Sequence, residues 1–289
     1  MKEKQVKGYI FVIISAIIYG CMPLMAKYIY LDGVNPLTLV FLRNLLALPA
    51  LAILAFINDK SLKISLNVLP PISLVSFLGC TITPILLFSS YQYLASGTAT
   101  VFHFIYPAIV VICELLIFRK KAKLGNVLGV ILCISGICCF YTPGQVPDFL
   151  GSLFALGSGV LFASYVLSLS FFKEKMGTGF LFSFYIALAS SIFTFLIGIF
   201  TNSIMLPSTL NGWLLCLLFA NLVTTGAVVL FQQGAFIIGG EKASILSAIE
   251  PATSVIVGAI VFLEPMSVPV IIGSILVIGA SIVIITVKK

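Results

Sequence analysis

Charge is what this 289-residue sequence has least of. Asp, Glu, Lys and Arg together make up 9% of it, against roughly a quarter in a soluble globular domain. That is too little polar surface to cover a chain of this length in water. Histidine occurs once, as His103, and tryptophan once. The sequence holds no H-E-x-x-H, no G-x-S-x-G, no cluster of acids and no Gly-rich ATP-binding loop, so an intramembrane hydrolase or an ATP-driven pump lacks its chemistry. C-x-x-C pairs are missing too. The seven cysteines (Cys21, Cys80, Cys113, Cys133, Cys138, Cys139 and Cys216) all fall in apolar runs without a histidine cluster and read as small buried hydrophobes. No cofactor and no metal is called for. Polar linkers and low-complexity tails are absent as well, which leaves the apolar runs themselves to hold the function.

Those runs dominate. The chain is 61% hydrophobic with a mean hydropathy of +1.22. Ten apolar runs recur at roughly 8–28, 37–57, 68–94, 98–118, 124–142, 149–172, 178–200, 211–236, 242–263 and 267–287. A helix needs about 20 residues to cross the hydrocarbon core, and these runs are continuous where barrel strands would alternate. The pattern predicts an all-α integral membrane protein with ten transmembrane helices, the first being an uncleaved anchor behind Lys2, Lys4 and Lys7. The net charge of +7 is read through its placement. With the amino terminus in the cytoplasm, 14 of the 16 Lys and Arg fall on that side: Lys2, Lys4, Lys7, Lys60, Lys63, Arg119, Lys120, Lys121, Lys123, Lys173, Lys175, Lys242, Lys288 and Lys289. The opposite side receives Asp32 and Asp148. This asymmetry predicts a multi-pass cell-membrane protein with both termini cytoplasmic, and it accounts for the basic balance without nucleic acid.

The chain also repeats itself. FHFIYPAIVVICELLIF at 102–118 lies over LSAIEPATSVIVGAIVF at 246–262 at a constant offset of 144, so that Tyr106 falls on Glu250 and Pro107 on Pro251. Gly129 and Gly273 match at the same offset. Two five-helix units follow, 1–145 and 146–289. Five is odd, so the second unit enters the membrane from the opposite side, which makes an inverted repeat of the kind that builds secondary transporters with midplane binding sites.

Helix breakers and ionisable groups inside apolar runs mark where such a site would lie. Glu250 is about 12 Å inside its helix end at 1.5 Å per residue. Pro251 cannot donate to the carbonyl of Ser247, nor Pro107 to that of His103. These freed acceptors are expected to line a wet cavity, with Pro107 and Pro251 as gating hinges. At helical spacing Ser247, Glu250, Ser254 and Gly258 share one stripe, matched in the first unit by His103, Tyr106, Val110 and Glu114. The expected substrate-binding set is Glu250, His103, Tyr106, Ser247 and Ser254, with Tyr91, Gln92, Gln232 and Gln233, and with Arg43 and Asn44 from FLRNLL. Arg43 lies about 10 Å from its helix end, too deep for easy snorkelling, and its expected partner is a carboxylate of the protein or of the substrate. Glu114 is a candidate gate. Each residue also has a structural alternative, a core histidine, a buried amide or a packed tyrosine satisfied by a neighbouring helix.

The segments ISAIIYGCMPLMAKY, FLRNLLALPALAI, ASGTATVFHFIYPAIVVICELLIF and GGEKASILSAIEPATSVIVGAIVFLEP resemble the EamA family of the drug/metabolite transporter superfamily over nearly the full chain. The resemblance implies ten-helix, inverted-repeat carriers of small organic metabolites, often amino acids and often exporters. The family commonly closes each unit with a glutamate. Glu264 fits, whereas the matching position of the first unit is Lys120, read here as a cytoplasmic anchor. The expectation is therefore a monomeric secondary transporter that moves a small-molecule metabolite across the lipid bilayer by alternating access, with an amino-acid or related exporter first, and with protons as a coupling partner. A metabolite uptake carrier, a drug efflux pump and, from a different class, a channel are the alternatives.

Overall fold

The computed structural model describes residues 2–59, 62–94, 96–117, 119, 124–139, 148–176, 179–262 and 268–286. Lys60, Lys120, Lys121, Lys123, Glu264, Lys288, Lys289 and the 145/146 boundary lie outside them. Among the described residues every regular element is helical and no strand occurs. The first half holds α1 (Lys2–Leu31), α2 (Pro36–Leu45), α3 (Leu48–Asp59), α4 (Leu69–Val75), α5 (Thr83–Ser90), α6 (Ser96–His103), α7 (Tyr106–Leu116) and α8 (Leu124–Cys139). The second holds α9 (Phe149–Met176), α10 (Phe180–Phe200), α11 (Leu210–Phe219), α12 (Val229–Ile238), α13 (Gly240–Leu246), α14 (Ile249–Phe262) and α15 (Val268–Thr286).

Six helical spans among the described residues are long and apolar enough to cross a membrane: Glu3–Leu31, Pro36–Asn58, Leu66–Ser90, Phe149–Phe172, Phe180–Phe200 and Leu210–Ile238. The remaining runs carry shorter pieces. The fourth and ninth are each cut in two, α6 ending at His103 and α13 at Leu246, with α7 and α14 opening at Tyr106 and Ile249. The breaks sit just ahead of Pro107 and Pro251, because each proline lacks the N–H for the carbonyl four residues back and its ring clashes with that turn, so a new helix opens with the proline in its first turn.

Two further irregularities are π-helical. Ser76–Ile82 joins α4 to α5, and Ala220–Val228 joins α11 to α12. The first has a local cause. Pro84 has no N–H for the Cys80 carbonyl, and the ladder slips so that Thr83 N–H reaches back to the Leu78 carbonyl. The abandoned Cys80 carbonyl accepts instead from Ser190 Oγ of α10 at 2.8 Å. Ser190 Oγ in turn accepts from Asn44 Nδ2 and from Thr81 Oγ1, each at 3.0 Å. In the second segment Ser15 Oγ of α1 donates to the Ala227 carbonyl at 2.8 Å.

Small residues let the halves approach. A Cβ on Gly8 or Gly234 would collide with the facing helix at the α1–α12 crossing, through Ile237 and Ile238 in one case and Val12 in the other. At one end of α1, Lys242 Nζ donates to the Tyr9 hydroxyl at 3.3 Å. At its other end the Asp32 carboxylate accepts from the backbone N–H groups of Ser208 and Thr209 at 2.9 and 3.1 Å. Gly33, at φ +87°, makes the left-handed turn that leads into α2, where Asn35 Oδ1 caps Thr38 N–H at 2.8 Å and Pro36 takes the first turn.

Candidate functional site

Where the broken and π-helical segments meet, the bundle forms a small, partly open cavity of about 40 Å³. α1 supplies Tyr19 and Met22, and the last turn of α2 supplies Arg43. The first π segment gives Gly79 and Cys80, and α5 gives Thr83, Pro84 and Leu87. His103 comes from the end of α6, Phe162 and Tyr165 from α9, Val228 from the second π segment and Glu250 from the first turn of α14. Both halves of the chain therefore build one site.

Among the described residues its charged groups have no counter-ion. Arg43 is 4% exposed, with Nε unbonded, and its guanidinium lies 5.7 Å from the centroid of the Phe88 ring, a cation–π contact. The Glu250 carboxylate, 7% exposed, lines the same cavity with no hydrogen bond or ion pair to the described residues. Neither charge reaches the other. In a low-dielectric site opposite charges attract strongly, and an uncompensated buried ion is costly, so this pair is arranged to meet something else.

His103 is held by a one-way hydrogen bond. Ser158 Oγ has one proton and donates it to the Ala155 carbonyl at 2.6 Å. The 2.8 Å contact between His103 Nδ1 and Ser158 Oγ must then run from Nδ1–H to oxygen, which leaves Nε2 as an acceptor. This polarity is the reverse of a base activating a serine nucleophile. Aromatic rings close the floor: Phe162 packs on Tyr106 at 4.7 Å between centroids, on His103 and Tyr165 at 5.4 Å and on Phe231 at 5.6 Å. Gly79 makes room for Tyr165, since a Cβ there would collide with its ring.

Of the residues the sequence singles out, the structure brings Glu250, His103 and Arg43 to the cavity. Tyr106 is buried beneath it, its hydroxyl unbonded. The nearby Ser247 hydroxyl donates to the Ala243 carbonyl at 3.0 Å. Gln232 stands one layer back, donating to the Tyr165 hydroxyl at 3.0 Å and accepting from Ser183 Oγ at 2.7 Å, so it holds a lining ring and does not itself line the cavity. Asn44 belongs to the Ser190 network. Ser254 Oγ donates to the Gly20 carbonyl at 2.7 Å and joins α14 to α1. Tyr91 is buried, Gln92 exposed and Gln233 half-buried, and none of the three lines the cavity. Glu114 is buried in α7, also away from it. The carbonyls freed by proline are not the open acceptors expected. Glu250 N–H takes the Ser247 carbonyl at 2.9 Å, because a tight turn replaces the lost bond, and Gly159 of α9 packs directly on the His103 carbonyl. The sequence reading missed Tyr19, Met22, Phe162 and Tyr165 as lining groups; a helical-face analysis of α1 around Gly20 is the signal that would have found the first two. Among the described residues no group of three His, Cys, Asp or Glu side chains is placed to hold a metal.

Comparison with known proteins gives a consistent relationship. An uncharacterized transporter of Clostridium kluyveri is 24% identical over 302 residues, spanning 96% of this chain and 92% of that protein. An uncharacterized transporter of Haemophilus influenzae is 24% identical over 185 residues, 62% of this chain and 60% of its own. The uncharacterized inner membrane transporter YhbE of Escherichia coli is 25% identical over 183 residues, 57% and 54% respectively, so the last two are matched over less than two thirds of their length. A protein of solved crystal structure superposes with a TM-score of 0.80 over 96% of this chain and 98% of its own at 15% identity, a likeness of fold alone. The EamA-like transporter family matches twice, at residues 6–142 and again at 149–286. The chain is a multi-pass membrane protein that belongs to the EamA-like transporter family.

Proposed function

We propose that the protein is a secondary transporter for small zwitterionic metabolites, with amino acids or close relatives as substrates and export as the direction. The observation that carries this reading is a guanidinium and a carboxylate lining one cavity, neither paired with a counter-ion among the described residues. A substrate bearing both a carboxylate and an ammonium group answers both through charge-assisted hydrogen bonds. Arg43 holds the carboxylate, Glu250 the ammonium, His103 Nε2 accepts a further donor, and the rings of Phe162 and Tyr165 flank the substrate's apolar part.

The mechanism is alternating access between two inverted five-helix units and ten crossings in all, with both termini in the cytoplasm. Three matched features support it: the family match in each half, the paired helix breaks ahead of Pro107 and Pro251, and the π segments at equivalent places in each unit. Broken helices at mid-depth are the usual way transporters build and gate such sites. The carrier works as a monomer in the bilayer, driven by the substrate gradient or by protons carried on Glu250. The test is transport in proteoliposomes under an imposed pH gradient. Saturable uptake of labelled amino acids with counterflow is expected, and flux that neither saturates nor shows counterflow would replace the carrier with a channel.

A further inference from the structure

We infer that Ser158 is a positioning residue that makes His103 an obligate acceptor at Nε2, so that the cavity favours a substrate bringing an N–H or O–H donor to that nitrogen. The selectivity rests on the transport reading above; the state of His103 does not.

A neutral imidazole carries one proton, and the hydrogen bond made by one ring nitrogen decides the role of the other. Ser158 is fully buried, at 0% exposure, so no water competes for its hydroxyl. Its own proton goes to the Ala155 carbonyl at 2.6 Å, and what it offers His103 at 2.8 Å is oxygen alone. A bare Nδ1 there would set two acceptors against each other. The next residue of α9 fixes the contact from the main chain: Gly159 brings the helix backbone onto the His103 carbonyl, which would lie 2.5 Å from a Cβ. One turn of α9 thus grips the end of α6 by both its ring and its backbone. Phe104, Tyr106 and Phe162 pack around the imidazole with ring centroids 6.0, 5.3 and 5.4 Å away.

Nε2 faces a different situation. It makes no hydrogen bond to the described residues, yet unlike Arg43 Nε and the Tyr106 hydroxyl it is not sealed off, and its ring lines the cavity. An acceptor left against an apolar group loses the water it had and gains nothing, so a site of this kind rejects a ligand that lacks the donor even when the size is right. In Ser158→Ala an Nδ1–H would be buried without a partner. The proton then moves to Nε2, and the atom that accepted becomes a donor.

Because His103 is the sole histidine, ¹⁵N-histidine labelling of the full-length protein gives one pair of ring-nitrogen signals, and long-range ¹⁵N–¹H correlation shows which nitrogen is protonated. At neutral pH the wild type is expected to show Nδ1–H, and Ser158→Ala to show Nε2–H. If Ser158→Ala does not fold, Ser158→Cys, close in size and a weak acceptor, takes its place with the same shift toward Nε2–H expected. Nε2–H or an imidazolium in wild type, or an unchanged tautomer in the variant, overturns the inference. Selectivity is read from counterflow of a ¹⁴C-labelled L-amino-acid mixture, with L-serine and its isostere L-2-aminobutyrate as competitors. If the donor is a side-chain hydroxyl, serine is expected to compete about tenfold or more better in wild type, and the variant to erase that ratio. If the donor is the ammonium group, the variant is expected to weaken the mixture and both competitors alike by about tenfold. Unchanged affinities for all of them in a variant whose tautomer has switched overturn the role in selectivity. No flux of the mixture in wild type refutes the transport reading, while the spectrum still decides the state of His103.

Discussion

Replacing Glu250 by glutamine separates binding from folding, because the carboxylate has no protein partner to lose among the described residues. Two terms set the effect on stability. Removing an unpaired charge from a site only 7% exposed relieves a desolvation cost of order several kcal/mol. The new amide introduces donors whose burial unpaired costs about 1–3 kcal/mol. The first term equals or exceeds the second, so the melting temperature is expected to hold or rise. Binding moves the other way. A charge-assisted hydrogen bond to a substrate ammonium contributes about 1.5–3 kcal/mol, and its loss weakens affinity by about 10- to 150-fold. The assay pairs thermal unfolding with counterflow and with accumulation against an imposed pH gradient. A fall in counterflow alongside an unchanged or higher melting temperature identifies Glu250 as the ammonium site. Intact counterflow with lost accumulation makes it the proton carrier instead. A lower melting temperature with wild-type transport would refute the reasoning, for Glu250 would then be a structural residue.

Three further expectations concern the framework. Ser190→Ala strips partners from Asn44, Thr81 and the Cys80 carbonyl together and is expected to destabilise by about 1–3 kcal/mol, visible as a lower thermal midpoint. A loss below about 0.6 kcal/mol, the average for single polar contacts between membrane helices, would mean that the three groups find other partners. Pro107→Ala and Pro251→Ala each restore a backbone donor at a helix break and are expected to slow transport while the protein still inserts and folds; full rates in both would remove the breaks from gating. Reporters active only in the cytoplasm, fused after Lys123 and after Lys289, are expected to give signal at both sites, and signal at only one would end the inverted-repeat reading.

The outline of the site was legible in the sequence wherever a residue acts locally or is costly in its surroundings. Proline dictates its own break, so Pro107 and Pro251 marked the interruptions that α6/α7 and α13/α14 display. A charge in an apolar run needs a reason, so Arg43 and Glu250 stood out, and both line the cavity. Rotation of helices about their axes was not legible. Tyr19, Phe162 and Tyr165 are three rings among 10 tyrosines and 24 phenylalanines, and only packing decides which of them face inward. Polarity alone also misled. Gln232 and Asn44 have the chemistry of ligands, yet the Gln232 amide is taken up by Tyr165 and Ser183 and the Asn44 amide nitrogen by Val40 and Ser190, because a buried amide takes the nearest partner its surroundings offer. The π segments were hidden for a related reason: Pro84 signals a lost bond, but which group accepts the stray carbonyl depends on α10.

Those π segments bear on how the chain can tolerate change in length. A π turn accommodates one residue more than the α path it replaces. Deleting a single residue within Ser76–Ile82 would therefore not shorten a loop. It would let the helix close into regular α form, and because the wide turn alone had absorbed the surplus, Thr83 and Leu87 beyond it would keep their facing on the cavity wall. The residues inside the turn would shift instead: Gly79 and Cys80 at the cavity, and Ser76 and Thr81 against α10. In Ala220–Val228 the same deletion would displace the carbonyl that Ser15 holds. The surplus residue in each unit thus sets which groups the turn presents, and leaves the span beyond it in register.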